Sequence, residues 1–138
     1  MNIALLVVTI IGLLDSGYLS IVKLANTLPY CTPGLGECQT VALSQWAYVL
    51  DIPVAYLGFL SYLGIFVLLV FGKKIKFVAP YVDYLLFFIS LVGVLFSAYL
   101  TYIEAFVLHA WCQWCVISAI TMAVIFVLCV RKLVNRQQ

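Results

Sequence analysis

The chain has 138 residues, 67% of them hydrophobic and 9% charged, with a mean hydropathy of +1.21. Soluble domains are nearer about 45–50% apolar and about 25% charged. Composition therefore excludes a water-soluble globule and points to one integral membrane domain over residues 1–138. A net charge of +2 with no basic stripe gives no footing for nucleic acid.

Four apolar runs, at about 2–25, 53–71, 82–108 and 112–130, are long enough to span a bilayer as helices. The first carries Asp15, lacks a basic start and is too long for a signal-peptide core, so it is expected to be a retained helix. The one long connection, about 26–52, holds Cys31 and Cys38. Within it, Leu43, Ala47 and Leu50 share a helical face with Trp46. Residues 39–50 are too short to span and predict a half-helix lying in the membrane interface. Pro53 suits the first turn of the second helix. The connection 72–80 is short and holds Lys73, Lys74 and Lys76, and the turn 108–111 is shorter still. Trp111 and Trp114 mark the start of the fourth run as interfacial. The expected fold class is all-α integral membrane: a four-transmembrane-helix bundle with an interfacial half-helix in the first extracytoplasmic loop.

Charge sets the orientation. Of the seven basic residues, only Lys23 lies outside the connection 72–80 and the C-terminal tail, which holds Arg131, Lys132 and Arg136. The positive-inside rule assigns those two segments to the cytoplasm of a multi-pass plasma-membrane protein, along with both termini. The loop 26–52 and the turn 108–111 then face outward, where disulfides persist.

A faint repeat relates residues 12–20 to residues 93–101. Gly, Leu, Ser, Tyr and Leu recur in register, and Cys31 and Cys112 each follow the repeat's first glycine by 19 residues. Gly12, Ser16 and Ser20 form one small-residue stripe, and Gly93, Ser97 and Thr101 another. Such stripes let membrane helices approach closely and are expected to be packing surfaces.

The chemistry rests on cysteine. Cys112 and Cys115 form Cys-Gln-Trp-Cys at the start of an apolar helix. Free N–H groups and the helix dipole there favour thiolate, and the spacing permits a reversible disulfide. Cys31 and Cys38 lie in a Pro- and Gly-rich loop able to swing a dithiol between an outside partner and the helix-borne pair. The alternatives are structural disulfides or a four-cysteine zinc site, although six residues between Cys31 and Cys38 are loose for zinc. Cys129 reads as a small buried hydrophobe. Asp15, ionisable within an apolar run, flags function or pairing. His109 reads as a wetted turn residue, and Glu37 and Asp51 are expected to face water. Ser44, six residues after Cys38, places a hydroxyl on the predicted half-helix.

Together these residues resemble the vitamin K epoxide reductase family in its prokaryotic form. The likeness is carried by the loop cysteine pair, Ser44, the run Ile-Pro-Val-Ala-Tyr-Leu-Gly at 52–58, and Cys-Gln-Trp-Cys-Val-Ile-Ser-Ala at 112–119. It implies a four-helix bundle whose core holds a quinone such as ubiquinone or menaquinone. By the same resemblance, Cys31 meets a soluble thioredoxin-like disulfide carrier, Cys38 exchanges with Cys112, Cys115 faces the quinone, and Ser44 hydrogen-bonds it. Ala47, Ala55, Ser118, Ala119 and Met122 are the expected pocket walls. Animal members carry an asparagine near the start of the second helix and a tyrosine four residues after the CxxC. Residues 52–58 contain no asparagine and Ala119 stands at the tyrosine position, so the sequence departs from the animal members at both places and leaves epoxide reduction open. The expected activity is thiol:quinone oxidoreduction that drives disulfide formation outside the cytoplasm. The alternatives are an outward reductant conduit or a non-catalytic membrane protein with structural cysteines.

Overall fold

A computed structural model describes residues 3–25, 45, 48–109 and 111–137. Four helices in it are long and apolar enough to cross a membrane. They are α1 (Ile3–Leu24), α2 (Val54–Phe71), α3 (Val82–Tyr102) and α4 (Gln113–Gln137). α1 packs against both α2 and α4, α3 packs chiefly on α4, and a thinner α2–α3 contact closes the bundle. Large apolar side chains such as Ile3, Leu14, Leu60, Phe88, Leu95 and Ile120 point outward. That is the arrangement of a protein solvated by lipid, in which apolar residues cover the outside and backbone polar groups are satisfied within each helix.

The core is built from Leu5, Tyr62, Ile65, Leu69, Val82, Leu86, Met122, Ile125 and Cys129. Hydroxyls within the helices bond back onto their own turns. Thr9 donates to the Leu5 carbonyl at 2.7 Å, Ser16 to Gly12 at 2.7 Å and Thr121 to Ile117 at 2.7 Å, so small polar residues sit in an apolar interior without an unmet donor. At the end of the bundle holding Lys73, Lys74 and Arg131, the Lys132 ammonium lies 3.0 Å from Asp83 and ties α4 to α3. Cys112 lies at the opposite end, where α4 begins.

The two small-residue stripes differ. On α1, Gly12, Ser16 and Ser20 are all buried, and the Tyr62 ring occupies the space beside Gly12 that a Cβ would fill. On α3, Gly93 approaches Met122 in the same way, yet Ser97 and Thr101 line an open groove rather than a packed seam. Gly12→Ala is expected to push Tyr62 out of place and cost about 1–3 kcal/mol, the range for overpacking. Gly64→Ala is the control, because a Cβ there meets nothing. Thermal unfolding of both variants in detergent checks it: Tm should drop for Gly12→Ala only.

One sequence expectation is corrected at its edge. Tyr48–Val49 (β1) pairs antiparallel with Ile52–Pro53 (β2) across a tight turn, so the last positions of the expected half-helix are hairpin. Leu50 and Asp51 take φ of 52° and 66°, the left-handed pair a two-residue primed turn requires. The remainder of that segment lies outside the described residues apart from Gln45.

Candidate functional site

The end of α3 is reshaped before the chain turns. Ile103–Val107 form a single π turn, and the Leu108 N–H donates to the Ile103 carbonyl at 2.9 Å. π turns recur at functional sites because they re-aim side chains. His109 follows with φ of 51°, a left-handed residue that reverses the chain within a few positions. Cys112 then caps α4, its carbonyl accepting the Val116 N–H at 3.0 Å. Cys115 lies one turn further in. The start of α4 is fastened to α1 by the Trp114 ring against Tyr18, centroids 4.8 Å apart. Ser20 of α1 donates to the Ala55 carbonyl of α2 at 3.2 Å, and the Lys23 ammonium sits 4.3 Å from the centre of the Tyr48 ring.

Cys112 and Cys115 carry free thiols and hydrogen-bond each other through sulfur. Cys112 is only 3% exposed. The hydrogen bond from the Cys115 thiol pulls the Cys112 thiol below its ordinary pKa, aided by the backbone N–H groups of Cys115 and Trp114 and opposed by burial and by Glu104. A thiol whose anion is favoured in this way is the nucleophile of a dithiol pair. Cys115→Ala removes the principal donor, so the Cys112 thiol should titrate at higher pH. The midpoint of its alkylation rate against pH should move upward. An unmoved midpoint would assign the effect to the helix terminus alone.

Glu104 is the residue that the sequence reading passed over. It lies in the π turn, 4% exposed, and its Oε2 accepts the Cys112 N–H at 3.4 Å. Its charge also acts on the Cys115 thiol. The available signal was the one that flagged Asp15, an ionisable residue inside an apolar run. Asp15 itself is 6% exposed on α1, close enough to Cys115 and Tyr62 to act on both, and neither carboxylate oxygen has a hydrogen-bond partner among the described residues.

The other expected site residues are dispersed. Cys31, Cys38, Ser44 and Ala47 lie outside the described residues. Ala55 serves the α1–α2 contact through its carbonyl. Ser118 accepts the Tyr62 hydroxyl at its carbonyl, 2.8 Å away, and its own hydroxyl lies 3.0 Å from the same oxygen. Met122 is core, packed on Gly93. Among the expected walls, Ala119 alone lines the open groove of about 410 Å³ between α3 and α4, with Ser97, Thr101, Tyr102, Phe106 and Ala123. Ala119 follows Cys115 by one turn on the same face of α4. Small side chains on facing helices border the groove, with the Tyr102 and Phe106 rings 5.1 Å apart at one end. Among the described residues no three His, Cys, Asp or Glu side chains are arranged to hold a metal ion.

These features define a class of protein: a four-span membrane protein with a dithiol at one end of the bundle, Cys112 buried and Cys115 half-buried. The chain belongs to the vitamin K epoxide reductase family, whose model matches residues 3–130. This is a family of oxidoreductases whose membrane redox chemistry is linked to disulfides and quinones.

Proposed function

We propose that the protein is a thiol:quinone oxidoreductase that oxidises extracytoplasmic thioredoxin-like partners and thereby drives disulfide formation. The observation that supports it most is the Cys112–Cys115 dithiol at the start of α4, Cys112 buried and Cys115 half-buried, the two thiols hydrogen-bonded to each other beside an apolar bundle. A thiol pair in contact at that place can be oxidised to a disulfide by an acceptor that dissolves in lipid.

In this reading Cys31 takes electrons from the reduced partner and Cys38 passes them to Cys112 by thiol–disulfide exchange, each step a thiolate attacking a sulfur of a disulfide. The stabilised Cys112 anion is the entry and exit point of α4, and Cys115 is the inner thiol that delivers the electron pair. A quinone accepts two electrons and two protons and becomes hydroquinone. Ser44 donates a hydrogen bond to its carbonyl, and Ala47 and Ala119 border the space it enters. The charge distribution supports the orientation: Lys73, Lys74, Lys76, Arg131 and Lys132 at the cytoplasmic end, the dithiols outside.

Protein reconstituted in lipid with quinone and a reduced dithiol donor tests the proposal by quinone absorbance. Catalytic loss of the quinone signal is the expected result. Inert quinone together with bound zinc would favour a structural role for the cysteines.

A further inference from the structure

The basic end of the bundle, opposite the dithiol, has no part in the thiol chemistry. Three of its lysines stand on the connection between α2 and α3, and that connection is an ordered structure. Gly72–Lys74 and Ala79–Tyr81 are 3-10 turns. Between them the Ile75 carbonyl accepts the Val78 N–H at 3.1 Å and the Ala79 N–H at 2.8 Å, and the Val78 carbonyl accepts the Tyr81 N–H at 2.8 Å. Gly72 is buried against Val82, where an added Cβ would collide with the valine side chain. The backbone is thus held against the start of α3 while its side chains stand outward. Lys73, Lys74 and Lys76 are exposed, and so are the apolar residues among them: Ile75 is 50% exposed and Phe77 89%.

Arg131 on α4 adds a fourth exposed cation. It belongs to the same surface, because its neighbour Lys132 lies 3.0 Å from Asp83, two residues past the last turn of the connection. That ion pair occupies the carboxyl group at this end. The other described acids lie elsewhere: Asp15 within α1, Asp51 in the hairpin and Glu104 in the π turn. Lys73, Lys74, Lys76 and Arg131 therefore have no carboxylate partner among the described residues. Lys74 has only the Phe71 ring, 5.7 Å away.

Cations without counter-charges repel one another, and an exposed phenyl ring is poorly placed in water. Both problems have one solution at the headgroup layer. The connection joins two membrane-spanning helices, so its cations lie within about 10 Å, a Debye length, of lipid phosphates. Its apolar side chains can reach the boundary of the acyl chains. We infer that residues 73–77, with Arg131, form a docking surface for anionic phospholipid headgroups. The four cations hold phosphate, and Ile75 and Phe77 sink into the acyl boundary. A signal for membrane orientation needs the charges alone. An ordered turn that sets apolar side chains among the lysines is what lipid contact needs in addition. A soluble acidic protein would match the charges, but it would have to displace lipid that already meets Ile75 and Phe77. Such a surface works whichever leaflet it faces and whatever the dithiol does.

The test uses the full chain reconstituted in phosphatidylcholine bilayers. Traces of spin-labelled phosphatidylglycerol and spin-labelled phosphatidylcholine report the preference for the anionic headgroup, and a photoreactive phosphatidylglycerol maps where that lipid sits. The unmodified protein should prefer phosphatidylglycerol, lose the preference as sodium chloride is raised, and crosslink within residues 71–81 or at Arg131. Lys73→Gln, Lys74→Gln and Lys76→Gln combined should lower the preference by about fivefold or more, one cation beside an anionic surface being worth about that factor. Lys73→Arg, Lys74→Arg and Lys76→Arg combined should keep it. Lys23→Gln, at the other end of the bundle, should leave it unchanged. No preference in the unmodified protein, a preference that salt does not weaken, crosslinks confined to other segments, or an equal loss in Lys23→Gln would each overturn the inference. Retention of soluble polyglutamate by protein that shows no lipid preference would overturn it too, and would assign the surface to an acidic protein partner.

Discussion

Cys115→Ser is expected to reduce quinone turnover to the uncatalysed background. Cys115 sits one turn into α4, hydrogen-bonded to Cys112, with the Glu104 and Asp15 carboxyl groups nearby. A serine there keeps the volume and a hydrogen-bond donor but cannot form a disulfide, so the electron pair has no source. Among the described residues no other thiol can take its place. Cys129 is fourteen positions along the same helix, about 20 Å away by helical rise, and is packed into the core beside Ser90 and Lys132. Cys129→Ala should leave the rate nearly unchanged. Quinone absorbance under a reduced dithiol donor measures both. Undiminished turnover in Cys115→Ser would remove the proposed mechanism.

The second large effect is covalent. If Cys38 exchanges with Cys112, the two sulfurs must be joined transiently. Cys31→Ser removes the thiol that resolves this bond from the loop side, and Cys115→Ser removes the one that resolves it from α4. In either variant most of the protein should accumulate with Cys38 joined to Cys112, seen by peptide mapping without reductant. The burial of Cys112 makes this a demanding test. Maps containing only Cys31–Cys38 or Cys112–Cys115 would reduce the cysteines to staples.

Much of the bundle was legible in the sequence because lipid imposes a simple rule. An apolar run of sufficient length must be a helix. The expected run 2–25 is α1, Ile3–Leu24, and the expected run 53–71 is α2, Val54–Phe71. The rule reads the membrane, not the helix end. α4 therefore continues past the expected residue 130 to Gln137, through Arg131, Lys132 and Asn135, where hydropathy stops but helical hydrogen bonding does not. The run 82–108 hid a change of helix type: Ile103–Val107 are as apolar in pattern as the α-helix before them, and nothing in their composition distinguishes a π turn. The half-helix expectation failed at Tyr48 and Val49 because Pro53 and the turn at Leu50 and Asp51 favour a hairpin over a continued helix.

The site was half legible. Cysteine spacing alone located the Cys112–Cys115 pair. Glu104 was missed because it lies eight positions earlier and reaches Cys112 only through the π turn and the left-handed His109. The pocket walls were placed by helical neighbourhood, which cannot tell a cavity-facing side chain from one used between helices. Ser118 is bonded to Tyr62 and Met122 fills the space beside Gly93 for that reason.

The most direct measurement of the central claim is anaerobic stoichiometry in both directions. Reduced thioredoxin-like partner and quinone are mixed with the protein in lipid, and disulfide and hydroquinone are counted. In parallel, oxidised partner is mixed with hydroquinone. The account predicts one hydroquinone per partner disulfide formed in the first mixture and little reaction in the second. Partner oxidation without quinone loss, or electrons flowing preferentially from hydroquinone to the partner, would contradict it.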